Sequence, residues 1–181
     1  MKKFGALVLL LVLAACGGAD KPDEVKKEDA KPAVAKTKTA DLICPQVAIL
    51  QKAEEIFDYG GEKPDPSQLV SKSRMKSIRG DCAYRPDGID ILFNLNMVAE
   101  RGPRLGGSQV SFPYFIVIVD PDENVLSRQV VTAQFKFSSS DKVAEDAEPM
   151  HVFIPLPESK LIAGPDYRVL VGFQMRKGQM K

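Results

Sequence analysis

Tryptophan is absent from these 181 residues, histidine occurs once, at His151, and cysteine three times. With one imidazole, dyads, triads and zinc sites that need several are excluded by count. There is no Cys-x-x-Cys, and so no redox motif of that kind. Charge of one sign is missing too: 25 Lys and Arg stand against 24 Asp and Glu, a formal net charge of +1. A domain that grips nucleic acid carries a basic footprint, and none is visible here. No apolar run reaches the ~20 residues that cross ~30 Å of hydrocarbon. No internal repeat is visible either. Glu145 and Asp146 form a carboxylate pair, but they sit in a polar Asp/Glu-rich stretch, with no apolar surroundings to raise a pKa. We expect neither an enzyme nor a bound cofactor or metal.

What is present begins at the amino terminus. Lys2 and Lys3 supply a positive start, Phe4 to Leu13 a short apolar core, and Leu13-Ala14-Ala15-Cys16 a small-residue close. That order is an export signal that is removed, and it takes no part in the fold. The last four residues resemble the bacterial lipobox, Leu-(Ala/Ser)-(Gly/Ala)-Cys, at every position. The resemblance implies cleavage between Ala15 and Cys16, a diacylglyceryl group on the Cys16 thiol and an acylated new amino terminus. Several acyl chains, at ~0.8 kcal/mol per buried methylene, hold a protein on a membrane where one chain is marginal. Gly17 and Gly18 lack the aspartate that favours inner-membrane retention in such proteins. The resemblance therefore implies the periplasmic side of the outer membrane.

Residues 16–40 read as a tether. After Cys16 they contain no aromatic residue and only two β-branched aliphatics, Val25 and Val34. Such a segment buries too little apolar surface to offset its ordering entropy, so disorder is expected. Its lysines and acids interleave, which suits a spacer better than a lipid-binding strip. At ~5–6 Å times the square root of the residue number, it spans roughly 25–30 Å.

Residues 41–181 are a normal size for one domain. Their periodicity is mostly two. Ile89, Ile91, Phe93, Leu95 and Met97 alternate with a more polar set. Val131, Ala133, Phe135 and Phe137 do the same, as do Val152 with Ile154, and Val169, Val171, Phe173 with Met175. Tyr114 to Val119 is apolar throughout, as a central strand would be. Turn chemistry separates the runs at Arg85-Pro86-Asp87-Gly88, Gly102-Pro103, Asp120-Pro121-Asp122 and Gly164-Pro165-Asp166. The spacing predicts an all-β, hairpin-rich antiparallel sandwich or barrel. One stretch, Cys44 to Asp58, reads as a short helix near residues 45–58, and equally as an opening strand followed by an irregular segment.

Leu161-Ile162-Ala163-Gly164-Pro165-Asp166-Tyr167-Arg168-Val169 resembles the tyrosine corner of immunoglobulin-like and fibronectin type III sandwiches. There a Tyr opens a late strand and its hydroxyl bonds back across the corner. The likeness covers about nine residues and implies an immunoglobulin-like sandwich. The strand-C Trp of antibody domains is missing.

With Cys16 spent on lipid, Cys44 and Cys82 remain, and an even pair in an exported domain usually bridges. Two free thiols and a catalytic thiol are the alternatives. A bridge would close about 37 residues and constrain the unfolded chain by roughly 3–4 kcal/mol. Lys72, Arg74 and Lys76 fall at period two with Arg79 beyond, which gives a basic strand face for anionic glycolipid or cell-wall polymer. The same residues suit an edge strand protected by its lysines. Asp120, Asp122 and Asn124 mimic the start of a calcium loop, but Val125 and Val131 stand where Gly and Glu are required. Arg101 to Gly107 is glycine-rich like a phosphate cradle, yet no helix follows it and Pro103 lacks an amide.

Taken together, the lipobox, the polar tether, the Cys44-Pro45 opening and the Tyr-initiated strand resemble small proteobacterial outer-membrane lipoproteins. The leading expectation is a non-enzymatic accessory module, anchored to the membrane through Cys16 and docked on an envelope protein by edge-strand addition. A glycolipid- or polymer-binding module stands second, and a hydrolase third.

Overall fold

The computed structural model describes residues 42–61, 64–176 and 179. The chain divides into two units, Met1–Lys38 and Thr39–Lys181, and every described residue belongs to the second. Ala15, Cys16 and the tether over residues 16–40 lie outside the described residues.

Alternation of apolar and polar side chains becomes eight strands: β1 (Gln46–Ile49), β2 (Glu55–Asp58), β3 (Ser71–Arg85), β4 (Gly88–Arg101), β5 (Gln109–Val119), β6 (Val125–Lys136), β7 (Val143–Pro155) and β8 (Arg168–Phe173). They form two four-stranded sheets, ordered β2-β3-β4-β7 and β1-β8-β5-β6. Every pairing is antiparallel except β1 with β8, which is parallel. The molecule is a β-sandwich.

Its connectivity follows from turns that the sequence announces. Pro86 and Asp87 close the β3–β4 hairpin, and the Asp120 to Asn124 turn closes β5–β6. The chain crosses between sheets after β1, after β4, after β6 and after β7, which sets β7 beside β4 and β8 beside β5. An immunoglobulin-like domain has the same neighbours, and there a final strand occupies the far side of the one corresponding to β8. Here β1 occupies that far side, running parallel. The architecture is compatible with an immunoglobulin-like domain.

The core fills from both inner faces. Ile89, Ile91, Phe93, Leu95 and Met97 of β4 meet Phe112, Tyr114 and Ile116 of β5, Ala133 and Phe135 of β6, and Val169, Val171 and Phe173 of β8. Phe112 packs edge-on against Phe135 and Phe173, at centroid distances of 6.3 and 6.0 Å. Such aromatic geometry adds about 0.5–1.5 kcal/mol per pair beyond the buried area.

Over residues 45–58 the structure takes the strand alternative and not the helix. A single 3-10 turn, Gln51–Ala53, separates β1 from β2. Four-residue strands rich in Val, Ile and Phe gain more by pairing with β8 and β3 than by helix formation, where Leu50 and Ile56 would need a common face. Instead Ile56 is fully buried and Leu50 stays exposed.

Cys44 and Cys82 are joined, with their Cα atoms 5.7 Å apart. The bridge ties the segment entering β1 to the C-terminal part of β3. Beside it the Tyr84 hydroxyl donates to the Ile43 carbonyl at 2.8 Å. Burial raises the Tyr84 pKa.

Candidate functional site

Two long strands end their sheets on one side of the sandwich, and they differ in how they meet solvent. β6 has twelve residues and pairs only with β5 among the described residues. Its first six residues, Val125 to Val130, are all exposed, whichever way they point. Val125 is 62% exposed, Leu126 51% and Val130 50%. A long apolar edge of this kind presents unpaired amides and carbonyls to any extended chain. β6 contains no proline and no acid, and its cations are Arg128 and Lys136. Arg128 lies over the Phe115 ring at 5.4 Å, so its stem covers part of the neighbouring strand.

β7 is thirteen residues long and carries Glu145, Asp146, Glu148, Pro149 and Pro155. Its inner face is fixed by polar contacts that the sequence reading missed. The fully buried Tyr114 of β5 donates its hydroxyl to Glu148 and also touches the Met150 sulfur at 3.4 Å. Burial raises the Glu148 carboxyl above the ordinary range and neighbouring Asp146 adds to the effect, while the Tyr114 hydrogen bond opposes it. Burial, then the Glu148 partner, also pushes the Tyr114 hydroxyl far up. The expectation that this acidic stretch has no apolar surroundings is thereby corrected: its alternate residues point inward. The missed signal was period two running from Ala144 through Ile154, masked by acids at inward positions.

The basic strip on β3 is placed as follows. Lys72 pairs with Glu100 at 3.0 Å, and Arg74 pairs with Glu55. The Glu55 carboxylate raises the Arg74 pKa. Lys76 falls at a bulge, where the register with β4 shifts between Met75 and Ser77. Arg79 follows opposite Asn94. Two of the four cations are thus matched by carboxylates on neighbouring strands. Lys76 and Arg79 have no carboxylate partner among the described residues. Over Lys72 and Arg74 the strand is flanked on both sides, by β2 and β4, so there it is not an edge. Ser71 and Ser73 point into the core and are buried, which is why the opposite face carried so little apolar signal.

Other sequence landmarks resolve into structure. Asp120 accepts from the backbone amides of Asp122 and Asn124 at 3.0 and 2.8 Å and from the Asn124 side chain at 3.0 Å. The Asn124 bond leads in lowering its pKa. The carboxylate that would begin a calcium loop is the brace of a β5–β6 turn. Arg101 ties down the glycine-rich loop by donating to the Gly107 and Asp141 carbonyls at 2.9 and 3.2 Å, and it lies 4.9 Å over the Phe137 ring. That loop runs into β5, not into a helix.

Tyr167 sits between the 3-10 turn Glu158–Asp166 and β8, the position expected of a tyrosine corner, but the hydroxyl bond expected there is not found among the described residues. Its amide donates to Gly164. Tyr84 packs there instead. A Cβ at Gly164 would lie 2.3 Å from the Tyr84 oxygen, so any larger residue would have to displace the Tyr84 and Ile89 side chains.

His151, the one histidine, contacts Asp90 through Nε2 at 2.8 Å, and Arg85 pairs with the same carboxylate. Asp90 is buried, whereas His151 is largely exposed on the outer sheet face. Arg85 and His151 together offset the buried Asp90 charge.

No family model matches the chain, and no curated protein or solved structure matches it. Among the described residues no helix is long and apolar enough to cross a membrane.

Proposed function

We propose that this chain is a lipid-anchored lipoprotein of the cell envelope whose sandwich serves as a non-enzymatic docking module. The anchor rests on the Leu13-Ala14-Ala15-Cys16 motif, and it implies the periplasmic face of the outer membrane. One observation supports docking above all: β6 ends its sheet as a twelve-residue strand with its first six residues exposed. The occupant is an extended segment of an envelope protein, added alongside β6 by main-chain hydrogen bonds. Arg128 and Lys136, with no acid on the strand, favour a segment that carries acidic side chains. A basic-face reading for anionic glycolipid retains only Lys76 and Arg79, since Lys72 and Arg74 already have partners.

The test places a photoreactive benzophenone side chain at Leu126 or Val130 and, as control, at Val143 or Phe153 of β7. In intact cells the β6 positions should crosslink one protein species, and Arg128→Glu should remove that product. Equal crosslinking from β7, or a product untouched by Arg128→Glu, contradicts the reading.

A further inference from the structure

On the side of the sandwich opposite β6 and β7, the sheets part between β1 and the free half of β3. The gap is a pocket of about 220 Å³, lined by Pro45, Val47, Ile78, Ile91 and Phe93, with Cys44, Gly80 and Asp81 completing it. Ile91, Phe93 and Pro45 are buried and form its apolar floor. Interiors seldom hold voids larger than a water molecule, and an apolar cavity of about 150 Å³ already admits benzene. The space here therefore suits a six-membered ring with a short alkyl arm.

Asp81 makes the pocket selective. One of its carboxylate oxygens accepts the Cys82 amide at 2.8 Å. That oxygen also lies 3.8 Å from the Cys44 sulfur, which is spent in the disulfide and has no proton to give. Among the described residues no cation pairs with Asp81. An exposed, unpaired carboxylate at the mouth of a half-open hollow walled by Pro45, Val47 and Ile78 is complementary to a ligand with an apolar body and a cationic head.

We infer that this pocket binds a small arylalkyl- or alkylammonium ligand, its apolar part against Ile78, Ile91 and Phe93 and its ammonium on Asp81. The site is separate from the docking edge and does not depend on it. The disulfide holds Cys44 and Cys82 in place, and with them the pocket's rim.

The experiment titrates the folded, disulfide-bonded domain with 2-phenylethylammonium and with its neutral counterpart 2-phenylethanol, followed by amide chemical shifts. The ammonium should shift Val47, Ile78, Gly80 and Asp81 and bind about two- to fivefold more tightly, the ratio that one exposed ion pair supplies. Asp81→Asn keeps an acceptor for the Cys82 amide and should abolish the preference for the ammonium. Ile78→Phe fills the hollow and should abolish binding of both compounds, independently of how Asp81→Asn folds. Shifts centred elsewhere, no saturable shifts, equal binding of the two compounds, or binding that survives Ile78→Phe would each overturn the assignment.

Discussion

β6 and β7 are two long edge strands of this sandwich, nearly equal in length, and they differ in composition. β7 carries acids and two prolines, and it is pinned from inside by Tyr114 on Glu148. Prolines and charges at an edge discourage a stray strand from pairing. β6 has neither proline nor acid, and it leaves Val125, Leu126 and Val130 in the open. One fold thus shows a long edge with acids and prolines and a long edge with neither.

The contrast can be strained in order of expected effect. The largest lies on the far side of the sandwich, where a covalent bond replaces edge chemistry. Cys44→Ala with Cys82→Ala should cost roughly 3–4 kcal/mol in urea unfolding, from the chain entropy restored to the unfolded state. Loss of well under 1 kcal/mol would mean that β1 holds its seat by pairing with β8 alone.

Next comes the inner clasp of β7. Tyr114→Phe leaves the Glu148 carboxyl inside without its donor and should cost about 1–3 kcal/mol. The same substitution should speed amide exchange along β7 and leave β6 unchanged.

A pH series sharpens the point. Glu148 has a folded pKa raised above its unfolded value, so the native state binds the proton more tightly. Below the ordinary carboxylate range both states are protonated and the group adds no penalty. As pH rises through the raised value the folded carboxyl must ionise beside Asp146, and stability falls. Glu148→Gln removes that penalty. The variant should gain on the parent as pH climbs across this window and match its slope below it. Parallel curves across the whole range would refute the clasp's pH dependence.

The smallest effect on stability belongs to β6 itself. Leu126→Lys or Val130→Lys, both at exposed sites, should shift unfolding by no more than about 0.5 kcal/mol. Either should still weaken docking, because a lysine on an open edge is a common way to block pairing. A large stability loss would show that these side chains are buried in the free protein.

The sequence made the sandwich legible where one face is apolar. Ile89 to Met97 and Val169 to Phe173 became β4 and β8 with their inward sets as expected, and Cys44 found Cys82. It was mute where inward positions are polar. Ser71 and Ser73 enter the core, and Asp146 and Glu148 face inward, so period two broke down over the first halves of β3 and β7. β6 was read only from Val131 onward, because Val125 to Val130 project beyond the covered region and show no alternation at all. The part of β6 that lacked a burial pattern is the part for which we propose docking. The carboxylate partners of the basic strip were illegible for a different reason: Glu55 and Glu100, which pair with Arg74 and Lys72, are brought there only by strand register. Burial of Asp90 under Arg85 and His151 is likewise a product of β3–β4–β7 pairing and has no local signature.

Amide hydrogen exchange of β6 tests the central claim most directly, measured on the isolated domain and on the acylated protein in native envelope. The account predicts that amides of Val125 to Val130 on the free edge exchange fast in the isolated domain and become protected in the envelope, while β7 amides are alike in both. Equal exchange along β6 in the two settings would contradict it.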